Sequence, residues 1–311
     1  MKLNQLKYFL KIAELGSVSA AARELFIAQP ALSLQISALE KELGMVLFIR
    51  GAKGVQLTAA GEKMVHHARL ILRQVDTARA DVISDEFAPR GEVRVVIDAS
   101  KAYTLIPLLL TESARRFPEV QLKIFDAMSI AAAQTIIDGK ADLGLLPGAA
   151  ELSGVHVIPA YRESLYLVGR GIGEDHPAGT ILFEELSNYP LVTPSRPHNL
   201  RMNIEQKALE ARWPLDIQYE QDSGLILRCI MNHGIANAII PRDVMNDELG
   251  RGDLDALKII EPTIERIHSL VRLQARPVTT ACRALEALII ELIHTLCERG
   301  TLDGIALVEP G

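Results

Sequence analysis

The chain has 311 residues, of which 49% are hydrophobic and 23% are charged, as in ordinary soluble globular proteins. This length predicts two or three domains, each large enough to bury a core without metals or crosslinks. Three cysteines without a C-x-x-C spacing argue against a disulfide framework or a zinc site and favour the cytoplasm. No signal peptide and no run of eighteen apolar residues occurs, so no membrane span is expected.

The formal net charge of −6 argues, taken alone, against a nucleic-acid partner. Residues 1–60, however, contain seven Lys/Arg and four acids, a charge of +3 that leaves −9 for the other 251 residues. A basic head on an acidic body is typical of a DNA-binding module joined to a domain with another task.

Three helices are predicted in the first 43 residues. Apolar residues at helical spacing mark residues 3–15, and Gly16 ends that helix. Ser17 or Ser19 caps a second helix to about Leu25. The third helix starts near Gln29, has Pro30 in its first turn, and ends at Gly44.

A hairpin and a long helix follow. Residues 46–57 read as strand, turn and strand, with glycines in the turn. Thr58 caps a helix to about Phe87, whose three- and four-residue apolar steps predict a coiled-coil seam that Arg79 interrupts. The seam residues are Val65, Ala68, Leu72, Val75 and Val82. Residues 88–91 then break the helix and form a hinge.

From Glu92 onward, strands alternate with helices, which predicts an α/β fold with mainly parallel sheets. The predicted strands are VRVVID, 120–126, 141–147, 165–170, 190–194, 235–241 and 267–275. The predicted helices are 102–117, 129–139, 199–211, 223–233 and 279–298.

The third helix has two distinct faces on a wheel of 100° per residue. Its inward side, which should pack on the first two helices, consists of Leu32, Ile36, Leu39 and Leu43. Its outward residues, Pro30, Ser33, Leu34 and Ser37, with Gln29 at the N-terminal flank, are candidates for a DNA major groove. Gln pairs with adenine, and Ser contacts a base or a phosphate. Arg50 and Lys53 in the hairpin would meet phosphates or reach a minor groove. A helical bundle without a DNA role fits the wheel equally well.

Motifs across the chain resemble the LysR-type transcriptional regulators. The matching elements are Ala21-Ala22, Leu25, Gln29-Pro30-Ala31-Leu32-Ser33, Gln35-Ile36, Leu39-Glu40, Leu43-Gly44, Leu47-Phe48-x-Arg50 and Leu57-Thr58-x-x-Gly61. Residues 93–146 and 234–241 also resemble the family's pattern, and KYFLKIAELGS is similar to the nitrogen assimilation control subgroup. One departure is Leu34, where members often carry Arg or Gln; it could contact a thymine methyl but cannot donate to guanine.

The resemblance implies an α/β protein with an N-terminal winged helix-turn-helix and a two-lobed effector domain like the periplasmic binding proteins. The expected boundaries are 1–58 for the DNA-binding domain, 58–87 for the dimerisation helix, 88–91 for the hinge and 92–311 for the effector domain. Lobe one would comprise 92–160 and 268–311, and lobe two 161–267. The implied partners are an interrupted inverted repeat of promoter DNA, a second copy in a dimer or tetramer, and RNA polymerase.

A small effector of unknown identity, and no cofactor, is expected in the cleft between the lobes. Ligands in such sheets lie at the carboxyl ends of strands, against helix N-termini. The candidate residues at three such junctions are Ser100, Lys101, Ser129, Thr193, Ser195 and Arg196. For each serine a simple helix cap is an equally good interpretation, and solvation is the better one for the two cations.

Other functions find less support in the sequence. A solute receptor would not need the N-terminal helices, and no nucleophile motif, H-E-x-x-H or P-loop points to an enzyme. His198 is expected in a loop and Cys229 is expected as a small buried hydrophobe. Cys282 and Cys297 lie on one predicted helix, about four turns apart, which argues against a redox pair.

Overall fold

The structure is a computed structural model that describes most of the chain. The described residues are 1–51, 54–83, 88–126, 129–149, 152–275 and 277–307. Two compact units are present: Met1–Ser84 with Asp138–Lys140, and Asp85–Ile137 with Ala141–Gly311.

The first unit contains the three predicted helices, the hairpin and the long helix. Its elements are α1 Leu3–Leu15, α2 Val18–Glu24, α3 Gln29–Leu43, β1 Phe48–Gly51, β2 Gly54–Leu57 and α4 Ala59–Ile83. Gly16 and Gly44 adopt the left-handed conformation that ends α1 and α3. The Ser17 hydroxyl accepts the Ala20 N–H at the start of α2, and Thr58 Oγ1 accepts the Gly61 N–H at the start of α4.

The core of this unit forms where α1, α2, α3 and the first half of α4 meet. Leu32, Ile36 and Leu39 on α3 are buried against Leu6 and Phe9 on α1. Burying an aliphatic side chain of this size contributes about 1.5–3 kcal/mol. The prediction that Leu43 belongs to the same inward face is wrong, because Leu43 lies in the last turn of α3 and is 40% exposed.

Lobe one of the second unit is built on a six-stranded sheet of order β14-β6-β13-β5-β3-β4. Its strands are β3 Gly91–Ile97, β4 Val120–Asp126, β5 Leu143–Pro147, β6 Val155–Ser164, β13 Glu265–Leu273 and β14 Gly304–Ala306. Its helices are α5 Ile106–Arg116, α6 Ser129–Ile137 and α10 Thr280–Glu298. Leu285 and Ile289 of α10 pack with Val95 and Leu145 in the larger core of this lobe.

Lobe two contains a four-stranded sheet of order β11-β7-β12-β8 and a parallel pair, β10-β9. Its strands are β7 Tyr166–Gly169, β8 Thr180–Leu182, β9 Leu191–Thr193, β10 Ile217–Glu220, β11 Ala238–Ile240 and β12 Asp255–Ile260. Its helices are α7 Asn199–Ala211, α8 Gly224–Asn232 and α9 Asn246–Arg251.

The expectation of mainly parallel sheets is wrong. β3 pairs parallel with β4 and β5, but β13 runs antiparallel to both β5 and β6. The reason is that β6 leads out of lobe one and β13 leads back into it, so the two strands have opposite directions. Residues 161–164 and 265–267, expected in lobe two, pair with each other in the lobe-one sheet.

Candidate functional site

The outward face of α3 has the exposure that its wheel predicts. Gln29, Pro30, Leu34 and Ser37 are exposed, and Ser33 is half-buried. Ser19 Oγ lies 3.1 Å from Gln29 Oε1, so α2 orients the glutamine side chain. The side chain of Leu34 is 69% exposed, which presents an apolar group to any bound partner.

Phe26 is a further exposed residue beside this face that the sequence analysis treated only as part of a turn. It lies between α2 and α3 with a φ of 55° and is 94% exposed. A positive φ is uncommon for a bulky residue other than glycine. Its apolar character in a turn was the signal available in the sequence.

The hairpin lies against the end of α1. The Val55 N–H donates to Gly16 O at 2.8 Å, and Gly54 is so close that an added Cβ would lie 2.5 Å from the same oxygen. Lys53 and the side chain of Arg50 fall outside the described parts of the chain, so their phosphate contacts stay predictions.

Ser100, which is expected in the effector cleft, lies in lobe one. A short 3-10 helix, Ala99–Lys101, follows β3, and Asp98 caps it by accepting the Ser100 N–H at 3.0 Å. The Ser100 hydroxyl also donates to Asp98 and accepts from Arg266 Nη2 at 2.9 Å. The Arg266 charge holds the pKa of the Asp98 carboxyl below its usual value although burial opposes this. Ser129 begins α6, and its side chain falls outside what the structure describes.

Lobe two contributes the loop after β9. Thr193 is buried and its hydroxyl accepts from Arg201, while the Ser195 N–H donates to Asp222 Oδ1 at 2.9 Å. Arg196 is exposed and lies 2.9 Å from Glu205. Neither Thr193 nor Ser195 caps α7.

His198 instead caps α7, by accepting the Leu200 N–H through Nδ1 at 3.1 Å. From the sequence, His198 was expected only in a loop. Burial lowers the pKa of His198 below its usual 6.5, and the charges of Asp98, Arg266 and Asp222 also act on it. Because Asp98 and Arg266 belong to lobe one and His198 to lobe two, these groups face one another across the lobes.

The two lobes are in direct contact beside this loop. Gly148 follows β5 in lobe one, and Asn199 begins α7 in lobe two. A Cβ added to Gly148 would lie 2.3 Å from Asn199 Nδ2. The φ of +67° favours glycine there, whereas the Asn199 amide, at the end of a flexible side chain, can move aside.

Lys101 is fully buried, so its interpretation as a solvated cation is wrong. Its Nζ lies 2.6 Å from Glu163 Oε2 and 2.9 Å from Asp243 Oδ1. Burial opposes the charge, but the two carboxylates raise the pKa of Lys101 above its usual value. Glu163 and Asp243, which sequence reasoning missed, lie 62 and 142 residues away along the chain.

Cysteine and metal chemistry find no support in the described residues. Cys229 lies on α8 but is exposed, so its expected burial is wrong, while Cys282 and Cys297 share α10. Within the described ranges, no group of three His, Cys, Asp or Glu could hold a metal ion. In the same ranges, no helix combines the length and the apolar character needed to span a bilayer.

Comparison with known proteins gives two family matches. Residues 3–62 match the bacterial regulatory helix-turn-helix protein, lysR family, and residues 88–293 match the LysR substrate binding domain. Relatives include the nitrogen assimilation regulatory protein nac of Klebsiella aerogenes, 28% identical over 94% of this chain and 95% of its own. The HTH-type transcriptional regulator BbuR of Bordetella bronchiseptica is 26% identical over 98% and 94%.

Solved structures share the fold over nearly the whole chain. A full-length OxyR variant from Pseudomonas aeruginosa has a TM-score of 0.75 at 22% identity, covering 100% of this chain and 99% of its own. Full-length CbnR in complex with its target DNA has a TM-score of 0.66 at 23% identity, covering 95% and 99%. Two family models that together span most of the sequence carry the assignment. The chain belongs to the LysR family of DNA-binding transcriptional regulators, with an N-terminal helix-turn-helix and a substrate-binding domain.

Proposed function

We propose that this regulator reads an interrupted inverted repeat in promoter DNA through the outward face of α3. The observation that carries the proposal is that this face remains exposed while the opposite face of α3 forms the core. Gln29, held by Ser19, pairs with adenine, and Ser33 and Ser37 contact bases or phosphates. Leu34 and Pro30 supply apolar contact, including contact with a thymine methyl.

The hairpin supplies contacts that position the head without reading sequence. Arg50 and Lys53 meet phosphates on either side of the groove, which adds affinity that falls with salt. A domain of residues 1–58 would then bind DNA, and the hinge at 88–91 would join the dimerisation helix to the effector domain of residues 92–311.

The cleft of the second unit binds a small polar effector of unidentified structure, with no cofactor. Ser100, Ser129 and Ser195 offer hydroxyl and backbone groups at three strand ends, and Thr193 supports the third. Lys101 and Arg196 already have carboxylate partners, so any role of these two cations in effector binding is indirect. The effector changes lobe closure and thereby promoter activity, without chemical turnover.

The regulator acts as a dimer through residues 58–87, and pairs of dimers form a tetramer that contacts RNA polymerase. Along α4, Ala68 and the half-buried Val65 and Leu72 pack within the head's own core. Val75 and Val82 remain for a second copy, and Val82 is 87% exposed. A dimer of this kind places two copies of α3 on two half-sites.

Two substitutions on α3 test the assignment of the recognition face. Gln29→Ala and Ser33→Arg should each weaken specific binding by about 1–3 kcal/mol for each lost base contact. Gln206→Ala is the matched control, because Gln206 is exposed on α7 in the other unit. If both α3 variants protect an operator as the parent does in quantitative footprinting, the assigned face is not the one that reads DNA.

A further inference from the structure

A buried ion pair joins the two lobes. Lys101 lies at the end of the 3-10 helix in lobe one, and Asp243 lies in a second 3-10 helix, Arg242–Met245, in lobe two. Lys101 Nζ lies 2.9 Å from both Asp243 carboxylate oxygens. The two side chains are 0% and 2% exposed, so water does not screen their attraction.

The same lysine is tied to the crossover strands. Glu163 on β6 accepts from Lys101 at 2.6 Å through Oε2. Its Oε1 accepts from Arg266 Nε and from His268 Nε2, both on β13. One carboxylate on β6 therefore shares its charge between Lys101 and Arg266.

Arg266 continues this network to the cleft. Its Nη2 donates to Ser100 Oγ at 2.9 Å and lies 3.9 Å from Asp98 Oδ1. An unbroken series of contacts thus runs from Ser100 through Arg266, Glu163 and Lys101 to Asp243. Ser100, at one end of the series, is half-buried. Asp243, at the other end, belongs to lobe two.

Buried charges constrain one another, because an uncompensated charge in this environment costs several kcal/mol. If a ligand accepts the hydrogen bonds of Arg266 at Ser100, Arg266 compensates Glu163 less. Lys101 then neutralises more of the Glu163 charge, and its attraction for the Asp243 carboxylate weakens.

We propose that the Lys101–Asp243 pair is an interlobe latch whose strength is set at Ser100, through Arg266 and Glu163. This inference rests on the proposed effector cleft and assigns how its occupancy reaches lobe two. An acceptor group of the effector that takes the Arg266 hydrogen bond loosens the latch and frees lobe two to move.

A double-mutant cycle on the intact chain, without DNA or ligand, tests the coupling. Amide hydrogen exchange of residues 242–246 is the readout, for Ser100→Ala, Asp243→Asn and the double variant. Ser100→Ala removes an acceptor of Arg266 and leaves more of the Arg266 charge to Glu163, so it should slow this exchange, although the Ser100 hydroxyl bonds to Asp98 and Arg266 and not to the segment. Asp243→Asn should speed the exchange, because it removes the charge that Lys101 holds. Since Asp243→Asn removes the latch, Ser100→Ala should lose its effect in that background, and the double variant should exceed the product of the two single effects by about threefold or more, as for residues of one network.

Glu248→Gln provides the matched control. Glu248 is 6% exposed and pairs with Arg228 inside lobe two, outside the series that begins at Ser100. Its effect and that of Ser100→Ala should multiply. If Asp243→Asn does not fold, the cycle is run with Lys101→Met combined with Asp243→Leu, which removes both charges of the pair together.

Multiplicative effects in the Asp243 cycle, or unchanged or faster exchange of residues 242–246 in Ser100→Ala, would overturn the latch. Because the cycle contains no DNA and no effector, its failure leaves the proposed function standing. If the unsubstituted protein protects no operator in footprinting, the proposed function is overturned instead.

Discussion

Lys101 is a fully buried lysine whose ammonium group lies between two carboxylates. Burial of a lysine depends on carboxylates brought to it by the fold, and Glu163 and Asp243 come from a crossover strand and from the other lobe. Exposed positions such as Gln29 and Leu34 needed only helical periodicity, which is why their orientation could be predicted.

His268 should make the stability of the chain sensitive to mild acid. Burial lowers its pKa below the usual 6.5, although Glu163 opposes this, so the folded state keeps the ring neutral. The unfolded chain binds a proton more readily in that range, so the free energy of unfolding falls as pH falls below about 6.5. The pKa values of the Asp98 and Glu163 carboxyls are also lowered in the folded chain. The stabilisation that these two carboxylates contribute is therefore lost at lower pH.

Urea unfolding at about pH 7.5 and about pH 5.5 measures this effect. His268→Gln keeps a donor for Glu163 but does not titrate, so it should reduce the difference between the two conditions. The pKa of His198 is also lowered, so His198 too makes the free energy of unfolding fall in acid. Part of the difference between the two conditions therefore remains in the variant. An unchanged difference in the variant would contradict the account.

At the scale of elements, helices were predicted better than strands. Residues 199–211 match α7, and 279–298 matches α10 to within a residue, because their periodic faces and caps are local signals. The strands β6, β8, β10, β12 and β14 were missed. Most are three to six residues long, and their pairing partners are distant in sequence, as for β6 with β13.

A close backbone contact explains why the Leu57-Thr58-x-x-Gly61 motif has glycine at residue 61. A Cβ at this position of α4 would lie 2.3 Å from Leu47 O, a backbone atom that also accepts the Thr58 N–H. Gly61→Ala should therefore lower the stability of the head by about 1–3 kcal/mol, as overpacking does.

Gly250→Ala on α9 is the matched control. Gly250 has open space around it and should gain about 0.5–1 kcal/mol from the same change. Thermal unfolding of the intact chain compares the two variants. If Gly61→Ala is as stable as the unsubstituted chain or more so, the close approach to Leu47 O does not destabilise the head.

Val82 tests the assignment of α4 as the dimerisation helix. Val82→Glu should raise the dimer dissociation constant by about tenfold or more, because it places a charge in an apolar seam in both copies. Leu209→Glu is the control, since Leu209 is also exposed, at 80%, but lies on α7. Sedimentation velocity gives the constant, and equal effects of the two substitutions would contradict the seam.

At the scale of the whole molecule, the two parts with different tasks also differ in net charge. The basic head and the acidic remainder predicted two tasks, and the family matches assign helix-turn-helix and substrate-binding domains to those parts. The winged head and the two-lobed α/β body were predictable because the motifs of the chain resemble those of LysR-type regulators. The antiparallel crossover strands and the buried ionic series between the lobes were not, since both depend on long-range pairing.

The central claim is that the head reads DNA sequence. Electrostatic contacts alone weaken steeply with salt, whereas base contacts persist as a preference between sites. The most direct measurement is footprinting of genomic fragments bound by the intact protein at two salt concentrations. The account predicts a protected, interrupted inverted repeat that survives the higher salt. Binding that disappears at higher salt without any sequence preference at the lower one would contradict it.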